Sequence, residues 1–127
     1  MENQSSGYAG NYAVRQKEGL SQVELESRAF ICAASMLNHI KENWETEKKN
    51  LPDVLEKNKL LWSVIVSAMK EPDCPQPQPV RNNMIQLGAF VFKRTFELLG
   101  EPRPEGLDVL ININMNIARG LNGSAAD

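Results

Sequence analysis

The chain has 127 residues, enough for one domain with one modest hydrophobic core. Hydrophobic residues make up 42% and charged residues 24%, the balance of a chain that folds. A net charge of −2 and a pI near 5.5 supply no positive field to attract nucleic acid or an anionic membrane surface.

The opening residues Met1-Glu2-Asn3-Gln4-Ser5-Ser6 have no basic start and no apolar stretch behind them, so no secretory signal is expected. No run reaches the roughly 18 apolar residues of a membrane span. The expectation is a soluble, cytoplasmic protein. Residues 1–19 hold Gly7, Gly10 and Gly19 and few aliphatics, and they read as a flexible segment. Tyr8 and Tyr12 are four apart and share a face if the segment turns helical. That stretch is either a loose tail or an element that orders on the body or on a partner.

Ser21-Gln22-Val23-Glu24 forms a capping box, with Leu20 and Leu25 at the two positions of a hydrophobic staple. The folded domain is therefore expected over residues 20–123, with a disordered end at 124–127. Leu25, Ala29, Cys32, Ala33, Met36, Ile40 and Trp44 follow helical spacing and predict a first helix from Ser21 to Trp44 with those residues toward the core. Cys32 then reads as a small core residue. Cys74, in a Pro-rich stretch, reads as an exposed thiol. No disulfide is expected between them in a cytosolic protein.

Residues 41–59 mix five lysines with five acids, so they read as a solvated turn and helix start rather than a binding patch. Pro52 suits the first turn of a second helix. Leu55, Trp62, Ile65, Val66 and Met69 form its apolar face, and it ends near Glu71. Glu71–Pro79 has four prolines in nine residues, which forbids a helix and favours a stiff, extended connector.

Pro79 opens a third helix. Met84, Leu87, Val91 and Leu98 make one apolar row, with Ile85, Phe92, Phe96 and Leu99 beside it. So wide a stripe predicts a helix buried over much of its surface. Gly88 inside it costs about 1 kcal/mol relative to alanine, so another helix is expected to cross closely there. Gly100 and Pro102 end the helix.

Residues 109–117 alternate Ile111, Ile113, Met115 and Ile117 with Asn112, Asn114 and Asn116, a strand pattern. A helix also fits, with Leu107, Leu110, Ile111, Asn114, Ile117, Ala118 and Leu121 on one face. A lone strand would have nothing to pair with, so the helix is chosen. The expected fold is all-α: a single-domain bundle of about four main helices.

Catalytic chemistry is sparse. His39 is the only histidine, with no second ligand at metal spacing, and it reads as a partly exposed helix residue. No glycine-rich phosphate loop precedes a helix. No enzyme activity, metal or cofactor is expected. Three polar residues stand out by position. Arg81 lies in the first turn of the third helix, where a cation opposes the helix dipole. It is either a surface arginine or a group with a specific partner. Asn58 and Asn114 fall on or beside apolar faces. Each either bridges nearby backbone, or belongs to a polar network or a partner contact.

Four segments together resemble the FlaF family of flagellar biosynthesis regulators. Glu26, Arg28 and Phe30 are similar to a Glu-x-Arg-x-Phe element. Asn58-Lys59-Leu60-Leu61-Trp62 resembles an Asn-basic-basic-apolar-Trp segment. Arg81-Asn82-Asn83-Met84-Ile85-Gln86-Leu87 resembles an Arg-x-x-apolar-Ile-x-Leu helix start. Leu110 to Leu121 is similar to a Leu-Ile-x-Ile-Asn-x-x-Ile-x-x-Gly-Leu ending. The resemblance implies a cytosolic, chaperone-like protein that binds the terminal helices of flagellin and promotes its synthesis or secretion. It also implies opposition to a FlbT-type translational repressor. The candidate partner-binding residues are Tyr8, Tyr12, Asn58, Trp62, Arg81 and Asn114. The alternative is an RNA-binding post-transcriptional regulator of flagellin message, which the acidic pI disfavours.

Overall fold

The computed structural model describes residues 22–126, and within them it holds four main helices and no strand. These are α1 (Gln22–Glu42), α2 (Leu51–Lys70), α3 (Gln78–Gly100) and α4 (Asp108–Ala126). The segment 1–19 with Tyr8 and Tyr12, and the residues Leu20 and Ser21 of the staple and capping box, lie outside the described residues. So does Asp127.

α1 stops at Glu42, two residues before the predicted end at Trp44. Asn43 explains the stop. Its backbone leaves the helical region (φ −123°, ψ 43°), and its Nδ2 donates to the His39 carbonyl at 3.0 Å. An asparagine side chain that takes up helix carbonyls competes with the next turn of the helix itself. A single helical turn, Trp44–Glu47, and a 3-10 turn, Lys48–Asn50, then reverse the chain into α2. Pro52 sits in the first turn of α2, where its missing N–H is harmless. Glu71 is extended, as a residue before proline tends to be, and α2 ends there.

α1 packs most extensively on α4, and α2 packs on α3 and on α1. Trp62 is fully buried and touches every layer. Its ring meets Phe30 of α1 edge-on, with centroids 5.4 Å apart. A Cβ added to Gly88 of α3 would lie 3.6 Å from its Cε3, and would overlap Cγ2 of Val66 outright. The close crossing expected at Gly88 is therefore present, and α2 is the helix that makes it.

α4 is a helix, so the alternating Ile/Asn run is not a strand. Leu107, Leu110, Asn114 and Ala118 are at most 1% exposed and recur at helical spacing. The helix continues through residues 124–126, which composition had placed in a disordered end.

Two packing expectations are corrected. The buried face of α1 is Leu25, Ser27, Phe30, Ala34, Leu37 and Ile40. Of the predicted stripe, only Leu25 and Ile40 are buried. Ala29, Ala33, Met36 and Trp44 are half-buried, and Cys32 is exposed. Both stripes have helical spacing, and the one through Phe30, Ala34 and Leu37 is the one the neighbouring helices cover, with α4 packing most extensively on α1 and Trp62 of α2 meeting Phe30. α3 is also less buried than its wide stripe predicts. Gly88, Val91, Thr95 and Leu98 face inward, whereas Phe96 is 79% exposed. α2 covers only one side of α3.

Candidate functional site

The side of α1 that α4 does not cover faces α2 across an open groove. Ala29, Cys32, Ala33 and Met36 form one wall, and Val54, Lys57, Asn58 and Leu61 the other, around about 240 Å³. A second depression of about 360 Å³ shares Cys32, Met36 and Val54 with the first and ends at Ser35, His39, Glu47 and Asn50. The first part is apolar apart from Lys57 and Asn58. The second has a polar rim. This is an apolar core with a wet margin, the usual anatomy of a protein contact surface. Cys32, expected in the core, is an exposed thiol on the groove wall. Cys74 is half-buried, and both cysteines are free.

Asn58 and Asn114 belong to one buried network. The Trp62 indole Nε1 donates to Asn114 Oδ1 at 2.9 Å, and Asn114 Nδ2 donates to Asn58 Oδ1 at 2.7 Å. The network ties α2 to α4 through side chains far apart in sequence. Asn58 Nδ2 has no hydrogen-bond partner among the described residues, although Asn58 is only 1% exposed. A buried donor in that state costs roughly 1–3 kcal/mol.

Arg81 sits beside the end of α2. Its Nε donates to the Met69 carbonyl at 2.8 Å and its Nη2 to the Glu71 carbonyl at 2.9 Å. The cation that is unfavourable at the start of α3 is favourable at the end of α2, whose last carbonyls need donors. Arg81 thus staples the two ends of the Pro-rich connector.

Of the six candidate partner-binding residues, Trp62 and Asn114 are buried at 0% exposure and present no surface in this conformation. Arg81 is engaged with backbone, and Tyr8 and Tyr12 lie outside the described residues. Asn58 alone lines the groove. The α1 wall, Ala29, Cys32, Ala33 and Met36, was missed as a surface because its helical spacing read as core. Met36 opposite Leu61, both half-buried, needed the placement of α2 to be recognised. His39 is 62% exposed along its side chain, 3.8 Å from a Glu47 oxygen. No group of three His, Cys, Asp or Glu side chains able to hold a metal exists among the described residues. Among them, too, no helix is long and apolar enough to cross a membrane.

The sequence matches the family of flagellar protein FlaF over residues 8–121. The chain belongs to the FlaF family. The match takes in Tyr8 and Tyr12 as well as all of the groove. No curated protein and no solved structure matches the chain.

Proposed function

We infer that this FlaF-family chain binds monomeric flagellin in the α1–α2 groove, in the cytoplasm and without catalytic turnover. The observation that carries the reading is the groove itself: an open apolar trough between two helices, on a protein of a flagellar family. Flagellin that has not been exported has amphipathic terminal helices that would self-associate. An apolar trough between two helices suits the helix-in-groove mode, in which the apolar face of such a helix is laid down and hidden from water. Binding of this kind would favour flagellin synthesis and secretion and oppose a FlbT-type repressor of its translation. Tyr8 and Tyr12 would add a second contact, since tyrosine is a common interface anchor.

Calorimetry of the full chain with purified monomeric flagellin tests the reading. The expected result is a micromolar or tighter complex that survives half-molar salt, because apolar contact is weakly screened. A negative heat-capacity change should accompany it. Cys32→Glu places a charge on the groove wall at an exposed position, so the fold should tolerate it. It should weaken binding at least about ten-fold, the effect of stranding one charge in an apolar contact. Removal of residues 1–19 asks whether the two tyrosines contribute. The reading is overturned if flagellin does not bind while the protein retards flagellin message with steep salt dependence. The RNA-binding alternative would then hold.

A further inference from the structure

The buried hydrogen-bond network has a direction, and the direction fixes what it lacks. An indole N–H can only donate. Asn114 must therefore turn its oxygen to Trp62, which leaves its Nδ2 to donate to Asn58 Oδ1. Asn58 is set in turn: its oxygen is used, and its Nδ2 is the last donor in the relay. That nitrogen meets no acceptor among the described residues. Asn58 also lines the apolar depression with Ala29, Ala33, Met36 and Leu61. A relay that begins in the core thus ends as an unused donor, itself closed to solvent, on a residue that lines the groove.

We propose that Asn58 Nδ2 is the polar anchor of the groove, donating a hydrogen bond to a neutral side-chain oxygen set in the apolar stripe of the docked helix. The inference rests on the groove being the flagellin-binding surface. Backbone carbonyls of a docked helix are already paired within that helix, so the acceptor is a side chain. A carboxylate would lose its water among Ala29, Ala33, Val54 and Leu61, and the one cation of the lining, Lys57, already faces Asp53 at 3.3 Å, so the acceptor is an Asn, Gln, Ser or Thr oxygen. Met36 lines the same depression, and its unbranched side chain can swing aside to admit the acceptor. One buried polar contact in an apolar helix pairing selects register, because every shifted register leaves both groups unpaired. The anchor therefore decides which turn of the partner helix sits over Met36 and Leu61.

The test is nuclear magnetic resonance of the full chain, labelled with nitrogen-15 and carbon-13, titrated with monomeric flagellin. The expected result is a downfield shift of one Asn58 Nδ2 proton on binding, with the Asn114 amide nearly unmoved. Asn58→Asp keeps an acceptor for Asn114 and removes the outgoing donor. It should weaken flagellin binding about ten-fold or more. If that variant fails to fold, the Asn58 proton shift in the unaltered chain remains decisive. If Ala33 and Leu61 signals move and the Asn58 amide does not, the groove reading stands and the anchor is wrong. If flagellin binds and no groove signal moves, the groove reading itself fails, and the anchor with it. If the Asn58 proton is already downfield in the free chain and moves upfield when residues 1–21 are deleted, the donor serves the chain's own N-terminal segment. A shift that appears only as protein concentration rises assigns it to a second copy. Either result overturns the proposal.

Discussion

Trp62 is fully buried, and its polar and apolar halves are satisfied by different helices. The ring is held by Phe30 and the close approach of Gly88, and the indole N–H by Asn114. Trp62→Ala should cost about 3–5 kcal/mol, the usual range for a buried large aromatic, and urea denaturation would register it as a lower midpoint. Asn114→Leu keeps the forked shape of the side chain, with bulkier methyl ends, but orphans the Trp62 N–H and the Asn58 oxygen. Each orphaned group should cost roughly 1–3 kcal/mol. A variant that unfolds at the parent's midpoint would mean that water reaches the relay. Phe96 is the contrasting case. At 79% exposure, Phe96→Glu should change stability by no more than about 0.5 kcal/mol in the same assay.

Among elements, the α2–α3 hairpin is governed by a glycine and an arginine. Gly88→Ala raises helix propensity by about 1 kcal/mol, yet the new methyl would overlap Val66. Overpacking of this sort typically costs about 1–3 kcal/mol, so the net change should be destabilising. Val66→Ala in the same chain should relieve the clash, which a double-mutant cycle would reveal as a favourable coupling. Arg81→Gln should release the end of α2 from the start of α3. Hydrogen exchange of the last turn of α2 should then rise, while exchange of the mid-helix amides near Trp62 holds. Lys41 joins α1 to the first residue of α4 through a 2.7 Å ion pair with Asp108. The hydrogen bond and charge of Asp108 raise the Lys41 pKa above its ordinary value of 10.5. A raised value means that folding favours the charged amine. The stabilisation is thus complete below the ordinary pKa and lost as pH climbs through the raised one. The stability difference between the parent and Lys41→Met should be flat from neutrality to mildly alkaline pH and shrink above pH 10.5.

For the whole molecule, the arrangement is a layered one in which α1 is shared. One face of α1 is spent on α4, and part of the rest is left open toward α2. A bundle closed on all sides would hide Ala29, Ala33 and Met36. The half-open packing is what leaves an apolar groove open between α1 and α2. If the groove is the flagellin site, saturating flagellin should raise the unfolding temperature of the parent, by linkage, and raise that of Cys32→Glu much less. Equal increments in the two proteins would place the contact elsewhere.

Sequence alone determined the four main helices of this protein. Pro52, the prolines from Pro72 to Pro79, and Gly100 mark helix ends through backbone chemistry that acts within a few residues. Gly88 announced a close crossing because a helix interior accepts glycine only with a reason. The strand-like run 109–117 was resolved by asking what it would pair with, a question about the chain as a whole. Tertiary structure decided which faces meet. α1 carries two apolar stripes of equal periodicity, and only the docking of α4, fastened by Ser27 Oγ to the Ala118 carbonyl 91 residues away, makes one core and the other a groove. The roles of Arg81, Asn58 and Asn114 were undetermined for the same reason. Periodicity reports that a face is apolar or that a polar group interrupts it. What covers the face, or pairs with the group, is set by residues whose distance along the chain carries no information about their distance in space.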